Sequence, residues 1–367
     1  MLKNLILENF RNYQKYDLDF SKTTILIGPN GVGKTNIIEA ISLMSTGRSW
    51  RLKKDNEAVL WQKDFARISA KIVGDKEKNL EMVLQRLPSP DYPQIKIIKI
   101  NGVKKRLVEL LGKIPTVLFS PEELQIIAGS PQLRRRFIDI LICQTDKNYT
   151  VALLDLAKII RGRNKLLYYI KIGKSKIGEL DFWNERLVTL GSFIIKKRQK
   201  VIAELNLKLS DTYQTISDEK ETLQIKYKSL VEPDKFADMI GAQIEREIEA
   251  TATLFGPHRD DLVFLLENRD VATFGSRGEF RSVILAVKVA ELSYLKKANP
   301  DVPPILLLDD IFSELDLNRR LHLAKIISGQ QTIITTTDFD HIEKGLREKA
   351  KVVELTVIAR PGGRGNL

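Results

Sequence analysis

Gly28-Pro29-Asn30-Gly31-Val32-Gly33-Lys34-Thr35 carries the phosphate-loop spacing G-x-x-x-x-G-K-[ST]. An apolar run at 24–27 precedes it, and behind it Ile37, Ile38, Ile41 and Met44 recur at helical spacing. Strand, loop, helix is the setting this motif requires. There the glycines let backbone N–H groups wrap phosphates, and the helix N-terminus adds partial positive charge. Lys34 is then the cation for the β- and γ-phosphates, and Thr35 is a Mg²⁺ ligand. Asn36, the next residue, joins Gly28 to Thr35 in the expected cofactor-binding set.

The chain has 367 residues, 43% of them hydrophobic, enough for one large core or two modest ones; two lobes are expected. A formal charge of +12 favours a polyanionic partner such as nucleic acid or an acidic membrane surface, although lysine-rich helix faces also simply solvate. Charge alone does not choose. Cys143 is the only cysteine, which excludes an internal disulfide and a cysteine-based metal site and suits a reducing cytosol. Met1-Leu2-Lys3-Asn4 runs straight into a strand pattern, and no apolar run reaches the roughly 18 residues of a membrane span. A cytoplasmic protein without a membrane anchor is expected.

Outward from the loop, 2–7 and 16–20 read as strands about a turn at 9–12. Arg11 stands in that turn, either as a cation for a bound base or phosphate or as a solvated turn arginine, and is taken into the expected cofactor-binding set. The stretch 47–54 is basic and holds Trp50, a composition shared by nucleic-acid contacts and half-buried tryptophans. Period-two runs at 68–72, 80–84 and 95–100, the last ending in Asn101-Gly102, predict an antiparallel meander. Ser120 followed by Pro121 and two acids predicts a helix N-cap. From there to about 253 the pattern is helical, with long helices over 147–171 and 181–215 broken at 173–178. Residues 151–215 of this hairpin carry 13 Lys+Arg against 6 Asp+Glu, a net +7. Arg161, Arg163, Lys165, Lys196, Lys197, Arg198 and Lys200 are its dense part, and all but Lys165 are taken as candidate DNA contacts.

The α/β character returns after 254. Pro304-Ile305-Leu306-Leu307-Leu308 ends in Asp309-Asp310, and four large apolar residues in a row fit a buried parallel strand beside the phosphate loop. Asp309 can hold Mg²⁺ there with Thr35, while Asp310 polarises the attacking water beside Lys34. The loop and the carboxylates come from opposite ends of the chain. The expected architecture is therefore an α/β phosphate-loop lobe with mixed sheet over 1–115 and 252–367, and a mostly helical lobe over 116–251 with its hairpin at about 147–215.

Gly275-Ser276-Arg277-Gly278-Glu279 opens a helix about 30 residues before Asp309 and resembles the signature loop of ABC-type ATPases, as Ser313-Glu314-Leu315-Asp316 resembles their D-loop. In that class the signature helix closes on the γ-phosphate held by a second protomer. Ser276 and Gly278 thus join the cofactor-binding set, and a homodimer on ATP is implied. Over essentially its whole length the chain resembles the RecF family. The segments that carry this are 8–13, the phosphate loop, 47–49, 119–124, 134–139, 163–164, 256–262, the signature helix and 308–316; transporter ATPases lack 119–124 and 256–262. The resemblance implies ATP and Mg²⁺ as cofactors and double-stranded, gapped or junction DNA as partner. It also implies RecO and RecR as protein partners, with a role in loading recombinase at gapped DNA. RecF signatures usually read Ser-x-Gly-Gln where Glu279 stands here. Asp310 and a Thr/Asp cluster at 335–338 replace the Glu and His of transporters, with His341 a candidate stand-in, so slow hydrolysis and ATP as a binding switch are implied. An SMC-like structural head is the alternative, but its coiled-coil arms need hundreds of residues where this insertion supplies about 130.

Overall fold

Leu2, Leu5, Leu7 and Phe10 are buried while Lys3 and Ile6 face out, and this alternation makes β1 (Leu2–Phe10) a half-buried strand. The computed structural model describes residues 1–52, 54–74, 76–86, 95–327 and 329–356. Lys53 of the basic 47–54 stretch lies outside the described residues. Arg11, at a φ of 56°, turns β1 into β2 (Tyr13–Asp19), and β3 (Thr23–Ile27) then enters a second sheet. β4 (Phe65–Val73), β5 (Glu77–Gln85), β6 (Ile95–Ile100) and β7 (Val103–Lys105) complete an antiparallel sheet in the order β2-β1-β4-β5-β6-β7. Asn101 and Gly102 have φ of 51° and 78°, the left-handed pair a two-residue hairpin turn requires. β8 (Thr116–Phe119) follows. Ser120 does not cap a helix with its side chain: its hydroxyl is buried without a hydrogen-bond partner among the described residues, and Pro121–Leu124 forms a 3-10 turn before the short helix Gln125–Ala128.

The chain divides into two compact units, Met1–Glu123 with Glu291–Leu367, and Leu124–Ala290. In the second unit the hairpin arms are Lys147–Lys171 and Asp181–Ser217. Asp146 caps the first arm by accepting the Tyr149 N–H at 3.0 Å. The arms touch closely at Gly162, where a Cβ would come within 2.3 Å of the Trp183 ring. Strand β9 (Leu223–Lys228) lies where only helix was expected, and pairs along its length with β10 (Asp261–Leu266), which carries the short β11 (Arg269–Asp270). Asn206 on the second arm closes the outer edge of β9: its amide donates to the Ile225 carbonyl at 2.8 Å and accepts the Ile225 N–H at 2.9 Å. Because β9 holds β10, residues up to Ala290 go with the helical unit, and the divisions fall at 123/124 and 290/291 rather than at 115/116 and 251/252.

In the first unit, β12 (Ile305–Asp309), β13 (Thr332–Thr336) and β14 (Lys351–Glu354) join β3 and β8 in a wholly parallel sheet, order β14-β3-β13-β12-β8. Ile37, Ile38, Ile41 and Met44 of the helix after the phosphate loop share one core with Leu5 and Leu7 of the antiparallel sheet and Leu307 and Ile333 of the parallel one. Among the described residues no helix is long and apolar enough to cross a membrane.

Candidate nucleotide-binding site

β3 delivers the chain to the glycine loop, and the helix Lys34–Thr46 takes it away. Gly33 has a φ of 117°, and a Cβ on it would come within 2.6 Å of the Tyr13 hydroxyl; a Cβ on Gly28 would meet the Leu355 carbonyl at 2.4 Å. Only glycine fits either place. No side chain caps the helix start, so its first N–H groups are available to an anion. The Lys34 ammonium donates to the carbonyls of Gly28 at 2.7 Å and Pro29 at 3.0 Å, which curls it over the loop. Burial lowers its pKa, opposed by the charges of Asp310 and Asp309. Pro29, Asn30 and Gly31 are exposed along the rim, and Val32 is buried beneath it.

The parallel register sets Asp309 opposite Thr335. Thr35 Oγ1 donates to Asp309 Oδ1 at 2.9 Å, and Thr335 Oγ1 donates to the same oxygen at 2.7 Å. Burial raises the Asp309 pKa, and these two hydroxyls oppose the rise. Thr35 and Asp309 thus offer hard oxygen ligands side by side, the donor set a Mg²⁺ bridging to phosphates uses. Asp310 follows in the left-handed region at a φ of 51°, its N–H held by Thr335 Oγ1 at 2.9 Å. Its Oδ1 is buried without a hydrogen-bond partner among the described residues, an acceptor left open beside the loop lysine. Burial raises the Asp310 pKa; Lys34 opposes this, and His341 acts more weakly in the same sense as Lys34.

Arg11 is neither solvated nor loose. Its guanidinium grips Glu39 through two bonds of 2.8 and 2.7 Å, and Glu39, wholly buried on the loop helix, also accepts from Ser49 and Arg51. Asn36 donates to Asn12 Oδ1 at 2.8 Å while Asn12 donates to the Val32 carbonyl at 2.9 Å, tying the 9–12 turn to the loop. Glu39 was not singled out in the sequence, and Asn12 and Thr335 stood only within the stretches 8–13 and 335–338, with no role of their own. Their signal was positional: a buried acid within a helix full of isoleucines, an asparagine beside the turn arginine, and a threonine at a strand end.

Ser276 is exposed at the start of the helix Arg277–Ala298. Glu279 accepts the Ser276 N–H at 2.5 Å, and Ser276 Oγ accepts the Glu279 N–H at 3.2 Å. This is a reciprocal capping box, so the Glu that replaces Gln also has a local structural role. Gly278 lies in the first turn. The hairpin cations divide sharply. Arg163 is fully buried, donating to Glu247 at 2.6 Å, Asn184 at 2.8 Å and Thr253 at 3.0 Å. Arg198 is 2% exposed, bound to Asp139 at 2.8 Å and to the Pro257 carbonyl at 2.7 Å. The expectation that these two reach DNA is corrected: both guanidiniums lie in the interior, where a phosphate backbone cannot approach. Arg198 joins the 134–139 and 256–262 segments, as does Arg134, which pairs with Asp261 at 2.7 Å, whereas Arg163 ties the first arm to Asn184, Glu247 and Thr253. Lys196 pairs with Asp234 and Lys197 with Asp146, whereas Arg161 and Lys200 are exposed.

A glycine loop at the end of a parallel strand, a strand-end Asp held to the loop threonine, and a second Asp behind it place the chain in the class of ABC-type, SMC-head ATPases. The family model "RecF/RecN/SMC N terminal domain" matches residues 1–357. A curated relative, the DNA replication and repair protein RecF of Lachnoclostridium phytofermentans, is 39% identical over 358 residues, covering 97% of this chain and 98% of that protein. The solved structure titled as the recombination mediator protein RecF-ATP in the RecFOR pathway superposes with a TM-score of 0.85 at 33% identity, covering 93% of each chain. An SMC head domain from Pyrococcus furiosus shares the fold, with a TM-score of 0.52 at 19% identity, covering 97% of this chain and 94% of that one. The chain belongs to the RecF family.

Proposed function

We propose that this chain is an ATP-driven DNA clamp of recombinational repair and replication. In this reading Gly28 to Asn36 bind the triphosphate, Lys34 neutralises its β- and γ-phosphates, and Thr35 with Asp309 holds Mg²⁺. When bound, the metal supplies charge neutralisation across the phosphates. Asp310 orients and polarises the attacking water through its open carboxylate oxygen, and Arg11, clamped by Glu39, keeps the 9–12 turn against the loop. Ser276 and Gly278 of a second copy close on the γ-phosphate, so ATP binding drives homodimerisation around duplex or gapped DNA, and slow hydrolysis releases it. RecO and RecR are the expected protein partners, because the structural relative is named within the RecFOR pathway. The cytoplasm is its expected compartment.

What supports this reading is the meeting of Thr35 and Asp309 at 2.9 Å across a separation of 274 residues, with Asp310 next in line. The test is light scattering of the wild type and Lys34→Ala, each with and without MgATP and a gapped duplex. The wild type should double in mass with MgATP and retain DNA only then; Lys34→Ala should do neither. A wild type that stays single under saturating MgATP, or holds DNA equally without it, would defeat the proposal.

A further inference from the structure

With Arg163 and Arg198 buried and Lys197 paired with Asp146, the hairpin's exposed cations lie along its arms, Arg161, Arg186 and Lys200 among them, and in a group at its far end. There Lys165, Lys171, Lys174 and Lys176 are all exposed, and Lys174 and Lys176 have no acidic partner among the described residues. Of the two acids in this segment, Glu179 is engaged by the Lys176 N–H at 2.8 Å and Asp181 is exposed, while Lys171 donates to the Glu249 carbonyl at 2.6 Å. The same eighteen residues, 165–182, present large apolar side chains to water: Tyr168 is 51% exposed, Ile172 42%, Ile177 53% and Phe182 60%. Phe182 stands edge-on to Trp183 with ring centroids 5.6 Å apart, and Lys165 lies over Tyr169 at 5.6 Å. Tyr168 lies in the last turn of the first arm, Ile172 directly follows its end, and Phe182 is the second residue of the second arm. The arms are held by the Gly162–Trp183 contact, so the tip is a presented surface and not a frayed end.

Exposed rings and lysines without acidic partners in one short segment suit one ligand better than any other. Unpaired bases stack on aromatic faces with little regard to sequence, while lysines track the phosphates. A closed duplex hides its base faces and has no use for Tyr168 and Phe182. We infer that the tip of the helical hairpin binds an unpaired DNA strand. This rests on the DNA reading given above and adds to it a site separate from the nucleotide loop.

The test uses the full chain and two fluorescent probes, a dT oligonucleotide and a blunt duplex of equal length, in anisotropy titrations across a salt series. Tyr168→Ala/Phe182→Ala should weaken dT binding by roughly tenfold or more and leave the duplex within about twofold. Lys174→Gln/Lys176→Gln should lower the dT salt slope by about 1.4, at roughly 0.7 per phosphate contact. Thermal melts and MgATP binding, which involve none of these residues, report that each variant is folded. Wild-type dT affinity in both variants, or equal losses on both probes, overturns the inference while leaving the DNA reading standing. A wild type that binds neither probe, with or without MgATP, removes the DNA reading itself.

Discussion

Arg163→Met separates an internal ion pair from a surface contact. Arg163 and Glu247 are both wholly buried and 2.6 Å apart, and the second Glu247 oxygen accepts the Leu254 N–H at 2.7 Å. Methionine keeps most of the packed stem but strands the carboxylate in the interior, and breaking a buried pair this way costs about 3–5 kcal/mol. Asn184 and Thr253 lose donors as well, adding up to about 1 kcal/mol each. Arg163→Met/Glu247→Leu removes both charges and should return to within about 2 kcal/mol of the wild type. Urea unfolding in a Trp50→Phe/Trp61→Phe background reads the second unit alone, because Trp183 packs on Gly162, the residue before Arg163. An arginine that served DNA would behave oppositely, leaving stability untouched and lowering DNA affinity. A single variant costing under about 1 kcal/mol, or a double variant no better than the single, would refute the reasoning.

Thr335→Val removes the donor to Asp309 and the acceptor of the Asp310 N–H, so single-turnover MgATP hydrolysis should fall at least about tenfold, with about 1–3 kcal/mol lost in urea unfolding; unchanged hydrolysis would contradict the role given to Thr335. Gly33→Ala forces a Cβ to within 2.6 Å of the Tyr13 hydroxyl at a φ of 117°, and should abolish nucleotide binding in a titration while the circular dichroism spectrum persists. Wild-type affinity would show that the loop tolerates a side chain. Burial lowers the His258 pKa from 6.5 to about 4, so the folded chain resists a proton that the unfolded chain accepts. Stability of the second unit should therefore be level above about pH 6.5 and fall as pH drops towards about 4, and His258→Gln should flatten that fall. Equal pH slopes in the two proteins would remove His258 as the cause.

Local pattern carried the parts of this fold that local physics decides. The first hairpin arm, Lys147–Lys171, matches its expected span because Asp146 caps it and a glycine at a φ of 74°, Gly173, ends it. The Asn101-Gly102 turn and the buried run before Asp309 are equally local signals. β9 was hidden because its sequence, Leu-Gln-Ile-Lys-Tyr-Lys, is short, and its edge is satisfied by Asn206 rather than by a neighbouring strand. The fate of the hairpin arginines was beyond any window: Arg163 finds Glu247 at a separation of 84 residues, and Arg198 finds Asp139 at 59. A charge count gives a total and says nothing of which side of the surface each cation lies on. The loop-to-carboxylate pairing was legible because phosphate chemistry restricts which residues can stand there, whereas Glu39 and Thr335 hold those residues in place and could have been drawn from several residue types.

One mixing experiment tests the shared triphosphate most directly. Lys34→Ala spoils the loop but still offers Ser276, and Ser276→Arg spoils the signature helix but keeps the loop. Each folded variant alone should be silent in MgATP hydrolysis. An equimolar mixture should recover turnover that neither variant shows alone, because a mixed dimer holds one whole site, made of the intact loop of one copy and the intact signature helix of the other. A mixture as silent as its components would contradict a site built from two copies.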